Sequence, residues 1–304
     1  MKIVSVDKIV IYPEHVEKLK KYGEVIIYND VPNEEEGIKR LKDTDIVIDN
    51  WYEMPAKVIT SSPSLKMICV AATGYEWVDL NEAKKRNIVV SNSPHYGKEA
   101  VAEHTIGLLL RAIRSAVIAE KELLSGIWDP AKYKGKELKG KTLGIVGYGS
   151  IDRRVGEIAK NGFNMNVLFV NTSSTKEGIA KLLKESDFIS INAPLTEQTK
   201  GMIRDNEFKQ MKQGVVIVNT GRGAVIDEQA FIENLKLGRV FAAGIDVFSK
   251  EPVTKDNPLL QLSNVTTTPH IGYNTEEAEY RLSEIVVNNI KAFIEGQPIN
   301  VVSK

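Results

Sequence analysis

Short apolar runs alternate with amphipathic stretches along the whole chain, and that pattern leaves few architectures open. Runs of strand composition lie at 2–6, 24–28, 45–49, 65–71 and 88–91, with helical patterns between them such as 13–21 and 33–41. A second series follows Lys141, at 142–146, 166–170, 187–191, 215–219, 241–245 and 264–267, again with helices between. Strands apolar on both faces and separated by helices belong in parallel sheets covered on either side. Two series predict an α/β chain with two doubly wound parallel-sheet domains. A helix over 98–125 is expected to link them, followed by Gly126-Ile127-Trp128-Asp129-Pro130 and a Lys/Gly-rich stretch to Gly140. The helical pattern over 276–295 comes after the last strand of the second series. With nothing left to pair with there, it should cross back onto the first. The expected division is 1–93 with 276–304, a discontinuous domain, and 94–275, with a cleft between the two.

At 304 residues the chain is long enough for two domains with sizeable cores. Its 40 basic and 40 acidic residues cancel, which speaks against nucleic acid or a membrane surface as partner, since either needs a net basic face. The single cysteine, Cys69, sits in an apolar run and reads as a buried thiol. No Cys/His cluster has metal-ligand spacing, so no metal is expected. The apolar start Met1-Lys2-Ile3-Val4-Ser5-Val6 is too short for a secretory signal and reads as a first strand. The apolar stretch 104–119 carries Arg111 and Arg114 and reads as a buried helix, not a membrane span. A cytoplasmic protein is expected.

The most specific local signal is Leu143-Gly144-Ile145-Val146-Gly147-Tyr148-Gly149-Ser150-Ile151, a strand-like run ending in a Gly-x-Gly turn before a helical stretch over 151–160. Such a turn lets backbone approach a pyrophosphate, which then meets the unpaired N–H groups and positive dipole end of the helix. A further apolar run, Met165-Asn166-Val167-Leu168-Phe169-Val170, stands where the next parallel strand belongs. Asp152 occupies the place of the third glycine of this pattern. After the second strand, where an acidic residue would hold the ribose 2′-hydroxyl of NAD, stand Asn171, Thr172, Ser173, Ser174, Thr175 and Lys176. Hydroxyls, an amide and a lysine accept a 2′-phosphate that a carboxylate would repel. The cofactor expected is NAD(P)(H), leaning towards NADP(H), although the arginine usual at such sites is missing.

Of four histidines, His15 lies on a polar helical pattern and is expected in solvent. His95 is in a turn, and His104 reads as helix packing. His270, in Thr267-Thr268-Pro269-His270-Ile271-Gly272, follows a strand at its carboxyl end, where open α/β sheets place ligands; alone it reads equally well as a structural turn histidine. Val218-Asn219-Thr220-Gly221-Arg222-Gly223 puts an arginine between glycines at another strand tip, able to grip a carboxylate or merely to cap a loop. Asp246-Val247-Phe248 ends a third strand, with Glu251-Pro252 close behind. Together Arg222, Glu251 and His270 suit reduction of a 2-keto acid. The arginine would hold the carboxylate and polarise the carbonyl, the histidine would give a proton to its oxygen, and the glutamate would favour the protonated imidazole.

Over nearly its whole length the chain resembles the D-isomer-specific 2-hydroxyacid dehydrogenases. The resemblance rests on Ala71-Ala72-Thr73-Gly74-Tyr75-Glu76-Trp77-Val78-Asp79, Asn92-Ser93-Pro94, Val101-Ala102-Glu103-His104 and Gly140-Lys141-Thr142-Leu143-Gly144-Ile145-Val146-Gly147. It continues through Ala193-Pro194-Leu195-Thr196, Val218-Asn219-Thr220-Gly221-Arg222-Gly223, Asp246-Val247-Phe248, Glu251-Pro252 and Pro269-His270-Ile271-Gly272. It implies a flavodoxin-like substrate domain, a Rossmann-type coenzyme domain and a homodimer through the coenzyme domains. It also implies Arg222, Glu251 and His270 as the catalytic set, with Thr73, Gly74 and Arg222 facing the substrate carboxylate. Coenzyme contacts would come from Thr73, Gly147, Gly149, Ser150, Ile151, Asn171, Thr172, Ala193, Pro194, Thr220, Gly221, Arg222, Asp246, His270 and Gly272. Among these, Ser150 and Ile151 would lie over the pyrophosphate, and Asp246 would bond the nicotinamide amide.

The implied activity is NAD(P)-dependent interconversion of a small 2-keto acid, of the glyoxylate, hydroxypyruvate or pyruvate type, and a D-2-hydroxy acid. Two alternatives stay open, a short unregulated D-3-phosphoglycerate dehydrogenase and a non-catalytic NAD(H)-sensing binding protein. A formate-dehydrogenase-like activity is disfavoured by Glu251. Asp152 places a carboxylate beside the pyrophosphate, where coenzyme affinity could suffer. In Asp49-Asn50-Trp51-Tyr52-Glu53, Trp51 and Tyr52 either narrow the cleft or serve core or dimer packing.

Overall fold

Five strands of the first series pair in parallel: β1 (Lys2–Ser5), β2 (Glu24–Ile27), β3 (Ile46–Asp49), β4 (Met67–Val70) and β5 (Val89–Ser91). Their order is β2-β1-β3-β4-β5, the flavodoxin-like order of a doubly wound sheet. Every residue of β3 and β4 is buried, as expected for strands covered on both faces. Helices α1 (Pro13–Lys20), α2 (Glu34–Leu41), α3 (Ala56–Thr60) and α4 (Leu80–Lys85) connect them. Local chemistry sets their starts. Pro13 opens α1, where its missing N–H costs nothing, and Asn33 caps α2 by accepting from Glu36 N at 2.9 Å. The structure, a computed structural model, describes residues 1–171 and 173–303. Its chain divides into two units, Met1–Gly97 with Asn274–Lys304, and Lys98–Tyr273.

One expectation for the first unit changes, and the alternatives for Tyr52 narrow to core packing. His15 is fully buried, not solvated. It faces Tyr12 and Tyr280 edge-on, at ring separations of 6.4 and 4.9 Å, and neither ring nitrogen has a hydrogen-bond partner. Tyr52 belongs to the core, where its hydroxyl donates to Glu34 O at 3.2 Å, whereas Trp51 stays partly exposed and stacks on Trp77 at 5.4 Å. The turn between them hangs on two buried carboxylates. Asp7 accepts from the N–H groups of Asn50 and Trp51 at 3.0 and 2.7 Å. Asp49 accepts from Tyr52 N at 3.0 Å and Trp77 Nε1 at 2.7 Å. Burial, reinforced by the Asp7 charge, drives the Asp49 carboxyl well above its ordinary value.

The second unit opens with α5 (Lys98–Ile113) and α6 (Ala116–Leu124). One helix over 98–125 was expected; instead Ser115 adopts a left-handed conformation with φ 51° and its N–H caps Ala112 O at 3.2 Å, ending α5. Then come β6 (Thr142–Val146), α7 (Ser150–Phe163), β7 (Asn166–Val170), α8 (Lys176–Glu185), β8 (Phe188–Ile191), α9 (Asp205–Gln210), β9 (Val215–Asn219), α10 (Glu228–Lys236), β10 (Val240–Ile245) and β11 (Val265–Thr267). The sheet order is β11-β10-β9-β8-β6-β7, all parallel. The two sheet faces carry separate apolar layers. Val215 and Ile217 face α8, α9 and α10, while Val216 and Val218 face α5 and α7, the alternation a strand imposes. From β6 the chain crosses to β7 on one side and later to β8 on the other. The carboxyl ends of β6 and β8 therefore form a topological switch point, where such sheets bind ligands. The final helix, α11 (Glu276–Ile294), packs on α1 and β4 of the first unit.

Candidate active site

Parallel register brings three strand ends level. Asn219 of β9 and Thr267 of β11 both pair with Ile245 of β10, so the loops after them leave the same sheet edge side by side. Arg222 comes three residues after Asn219, Glu251 six after Ile245, and His270 three after Thr267. Close backbone approach explains the glycines around the arginine. A side chain on Gly221 would come within 2.7 Å of the Asn192 carbonyl carbon, and one on Gly223 would overlap the Phe248 backbone. The arginine loop is thereby wedged between the loops after β8 and β10.

His270 Nδ1 lies 2.6 Å from Glu251 Oε2. The other oxygen, Oε1, accepts from Phe248 N at 2.8 Å, which fixes the carboxylate plane. Burial works to raise the Glu251 carboxyl. The bond and charge of His270, the Phe248 N–H and the Arg222 charge outweigh it and hold the group below its ordinary value. An ionised carboxylate only accepts, so Nδ1 carries the proton of this contact. Arg222 Nη1 donates to Gly221 O at 2.9 Å.

Asp246 builds the turn that carries the histidine. Its carbonyl accepts from His270 N at 2.8 Å, Oδ1 accepts from Ile271 N at 2.9 Å, and Oδ2 accepts from Gly272 N at 2.8 Å. These bonds hold His270 at φ 54°, a conformation a non-glycine residue adopts only when its surroundings impose it. The Thr268 hydroxyl also donates to Oδ1 at 2.6 Å. That hydroxyl proton being spent, His104 Nε2 donates to Thr268 Oγ1 at 3.0 Å, 3.3 Å from Asp246 Oδ1. Burial tends to raise the Asp246 carboxyl, but this donor set holds it below the ordinary value. Sequence reasoning gave His104 only a packing role and missed this brace. Its signal was the pairing of a helix histidine with a hydroxyl two residues before His270.

At the switch point the Gly-x-Gly turn leads into α7 as expected. Gly147 has φ 141°, and a side chain there would overlap the Asp152 carboxylate. Gly149 is the N-cap and Ser150 the first residue of α7, while Ile151 packs partly into the core. The first-turn N–H groups of the helix and the glycine backbone suit a pyrophosphate. The close-packing glycine is not at 152 but one helical turn on. A side chain on Gly156 would reach Phe169 Cζ at 2.6 Å, so Gly156 does what the third glycine of the motif was expected to do. After β7, Asn171 Oδ1 accepts from Ser173 N at 3.0 Å and from the hydroxyls of Ser173 and Ser174 at 3.1 and 3.2 Å. Thr172 lies outside the described residues.

The other expected contacts sit as follows. Ala193 is buried and Pro194 exposed on the loop after β8. Thr220 turns its hydroxyl inward to Asn192 Oδ1 at 2.7 Å, and Gly272 is buried. Thr73 and Gly74 follow β4 in the first unit, where the Thr73 carbonyl accepts from Asn92 Nδ2 at 2.8 Å.

Residues 106–272 match the model of the D-isomer specific 2-hydroxyacid dehydrogenase NAD binding domain. A hydroxypyruvate reductase of Blautia hydrogenotrophica is 38% identical over the full length of both chains. The chain belongs to the D-isomer specific 2-hydroxyacid dehydrogenase family. It is an NAD(P)-dependent enzyme of that family, with a Rossmann-type coenzyme unit and a flavodoxin-like partner unit. A D-3-phosphoglycerate dehydrogenase of Archaeoglobus fulgidus is 36% identical over 94% of this chain but only 56% of its own length. Among solved structures, an acyclic imino acid reductase in complex with NADPH and D-Arg superposes with TM-score 0.91 at 34% identity, over 99% of this chain and all of that one.

Proposed function

We propose that the enzyme reduces a small 2-keto acid of the glyoxylate, hydroxypyruvate or pyruvate type to its D-2-hydroxy acid. The observation that carries this reading is the 2.6 Å pair of His270 and Glu251, on the next two loops along the same sheet edge from that of Arg222. The Arg222 guanidinium binds the substrate carboxylate through two parallel hydrogen bonds and polarises the carbonyl. With Nδ1 held by Glu251, the His270 proton moves from Nε2 to the carbonyl oxygen, and the ionised glutamate stabilises the imidazolium beforehand. The nicotinamide, when bound, supplies the hydride. Asp246 orients the histidine turn and, through Oδ2, which accepts from Gly272 N alone and keeps a second lone pair, bonds the nicotinamide amide.

The coenzyme proposed is NADP(H) in preference to NAD(H), supported by the hydroxyl cluster around Asn171 and by the absence of a carboxylate there. A homodimer through the coenzyme unit is supported by α6, none of whose residues is buried. Its last residue, Leu124, and Trp128 just beyond it are 83% and 80% exposed, apolar surface that a second copy would cover. Rates with glyoxylate, hydroxypyruvate, pyruvate and phosphohydroxypyruvate, each with NADH and NADPH, test the reading. Turnover of none of the four refutes it, and phosphohydroxypyruvate as the best substrate selects the phosphoglycerate alternative.

A further inference from the structure

The Asp152 carboxylate is 4% exposed and sits under the Gly-x-Gly turn. One oxygen, Oδ2, accepts from the N-cap N–H of Gly149 at 2.6 Å, a charge-assisted half of a capping box. The other, Oδ1, is buried against Gly147 with no hydrogen-bond partner. A helix N-terminus favours an acidic side chain in its first turn, so the free protein tolerates this group. A pyrophosphate on the same N–H groups changes the balance, because two anions then share one dipole end in a site of low dielectric.

We infer that Asp152 admits the coenzyme's pyrophosphate in its protonated form, so that coenzyme binding takes up a proton at Oδ1. This rests on the reading of residues 147–151 as the pyrophosphate cradle. Protonation at Oδ1 leaves the Oδ2 cap intact and turns an acceptor without a donor into a donor at the edge of the cradle. Burial already pushes this carboxyl above its ordinary value, against the Gly149 N–H, the Asn192 side chain and the Arg153 charge. The surroundings supply little else. Strands β6, β7 and β8 carry no ionisable side chain. On α5, Glu99 is engaged by Arg154 at 2.7 Å, Glu103 is exposed and His104 is bonded to Thr268. Arg153, over the Tyr148 ring at 5.7 Å, is the charge among the described residues that bears on the carboxylate.

ADP-ribose carries the pyrophosphate without the nicotinamide, and its phosphates do not titrate near neutrality. Calorimetric Kd values at pH 5.5, 7 and 8.5, in two buffers of different ionisation enthalpy, report affinity and protons together. For the wild type, affinity should fall at least tenfold from pH 5.5 to 8.5, with proton uptake on binding at the higher pH. Asp152→Asn keeps an acceptor for Gly149 N and places an amide donor where the protonated oxygen would be. It should bind with a flat pH profile, and more tightly than the wild type at pH 8.5. Asp152→Gly should be flat as well, and should either variant melt early the wild-type proton count alone decides. Equal pH slopes in wild type and variants, or no proton uptake by the wild type, overturn the inference. Failure of all three proteins to bind ADP-ribose at any pH overturns the cradle reading itself.

Discussion

Gly272 and Asp246 meet with almost no space between them: the Gly272 N–H donates to Asp246 Oδ2 at 2.8 Å, and a side chain on Gly272 would stand 2.9 Å from the same oxygen. Asp246 thus ties the backbone on both sides of Ile271, and the position of the His270 ring follows from that tie. Asp246→Ala strips the acceptor from Thr268, Ile271 N and Gly272 N, each a loss of roughly 1–3 kcal/mol where the donor stays buried. Thermal unfolding should show a lowered Tm, and kcat should fall about 10- to 100-fold as the ring loses its place. An unchanged kcat would detach the clamp from catalysis.

Removing the proton donor should slow the chemical step. His270→Ala is expected to lower kcat by about 10²- to 10⁴-fold, with coenzyme Kd changed far less. Glu251→Gln should lose a smaller factor, since the imidazole stays but its counter-charge is gone. Steady-state kinetics on the best keto acid, alongside fluorescence titration of the coenzyme, separates the two effects. Full turnover by His270→Ala would be fatal to the proposed mechanism.

Arg222→Lys keeps the charge but not the fork. A compact ammonium cannot form two parallel bonds to a carboxylate, so KM for the keto acid should rise about tenfold or more. Retention of the wild-type KM would place the carboxylate elsewhere.

Coenzyme choice should turn on Asn171. The wild type is expected to bind NADPH more tightly than NADH. Asn171→Asp places a carboxylate beside the 2′ position and should reverse the order, because it repels a 2′-phosphate and accepts from a 2′-hydroxyl. A tenfold NADH preference in the wild type would remove the hydroxyl cluster from the account.

His15 should make the first unit acid-sensitive. Burial holds its imidazole below the ordinary value of 6.5, helped by the Lys18 charge and opposed by Glu14 and Glu284. The unfolded chain therefore binds the proton more readily than the folded one. As pH falls below 6.5 towards the depressed folded value, the unfolding equilibrium should shift by up to about tenfold per unit. His15→Phe keeps an aromatic ring between Tyr12 and Tyr280 and carries no proton. Denaturant unfolding at pH 7.5 and 5.5 should show a smaller loss for the variant; identical losses would clear His15 of the effect.

How much of this was written locally is plain from particular residues. The strands of both sheets lie within a residue or two of their apolar runs, because burial on both faces leaves a continuous local signature. The glycine turn, the strand-end arginine and histidine, and the returning helix α11 could likewise be read along the chain. Ser115 could not, since a left-handed residue inside an unbroken helical pattern leaves periodicity untouched. Gly156 could not either, because which helix position touches β7 depends on how α7 lies on the sheet. The sequence by itself determined which segments are strands and helices, and which side chains carry chemistry, for these follow from composition and spacing between near neighbours. Only the tertiary structure decided that His15 is buried, that Asp152 caps the glycine turn through Gly149 N, and that Glu251 stands against His270. Those facts depend on contacts between residues distant in the chain, on desolvation and on parallel register, none of which a local pattern encodes.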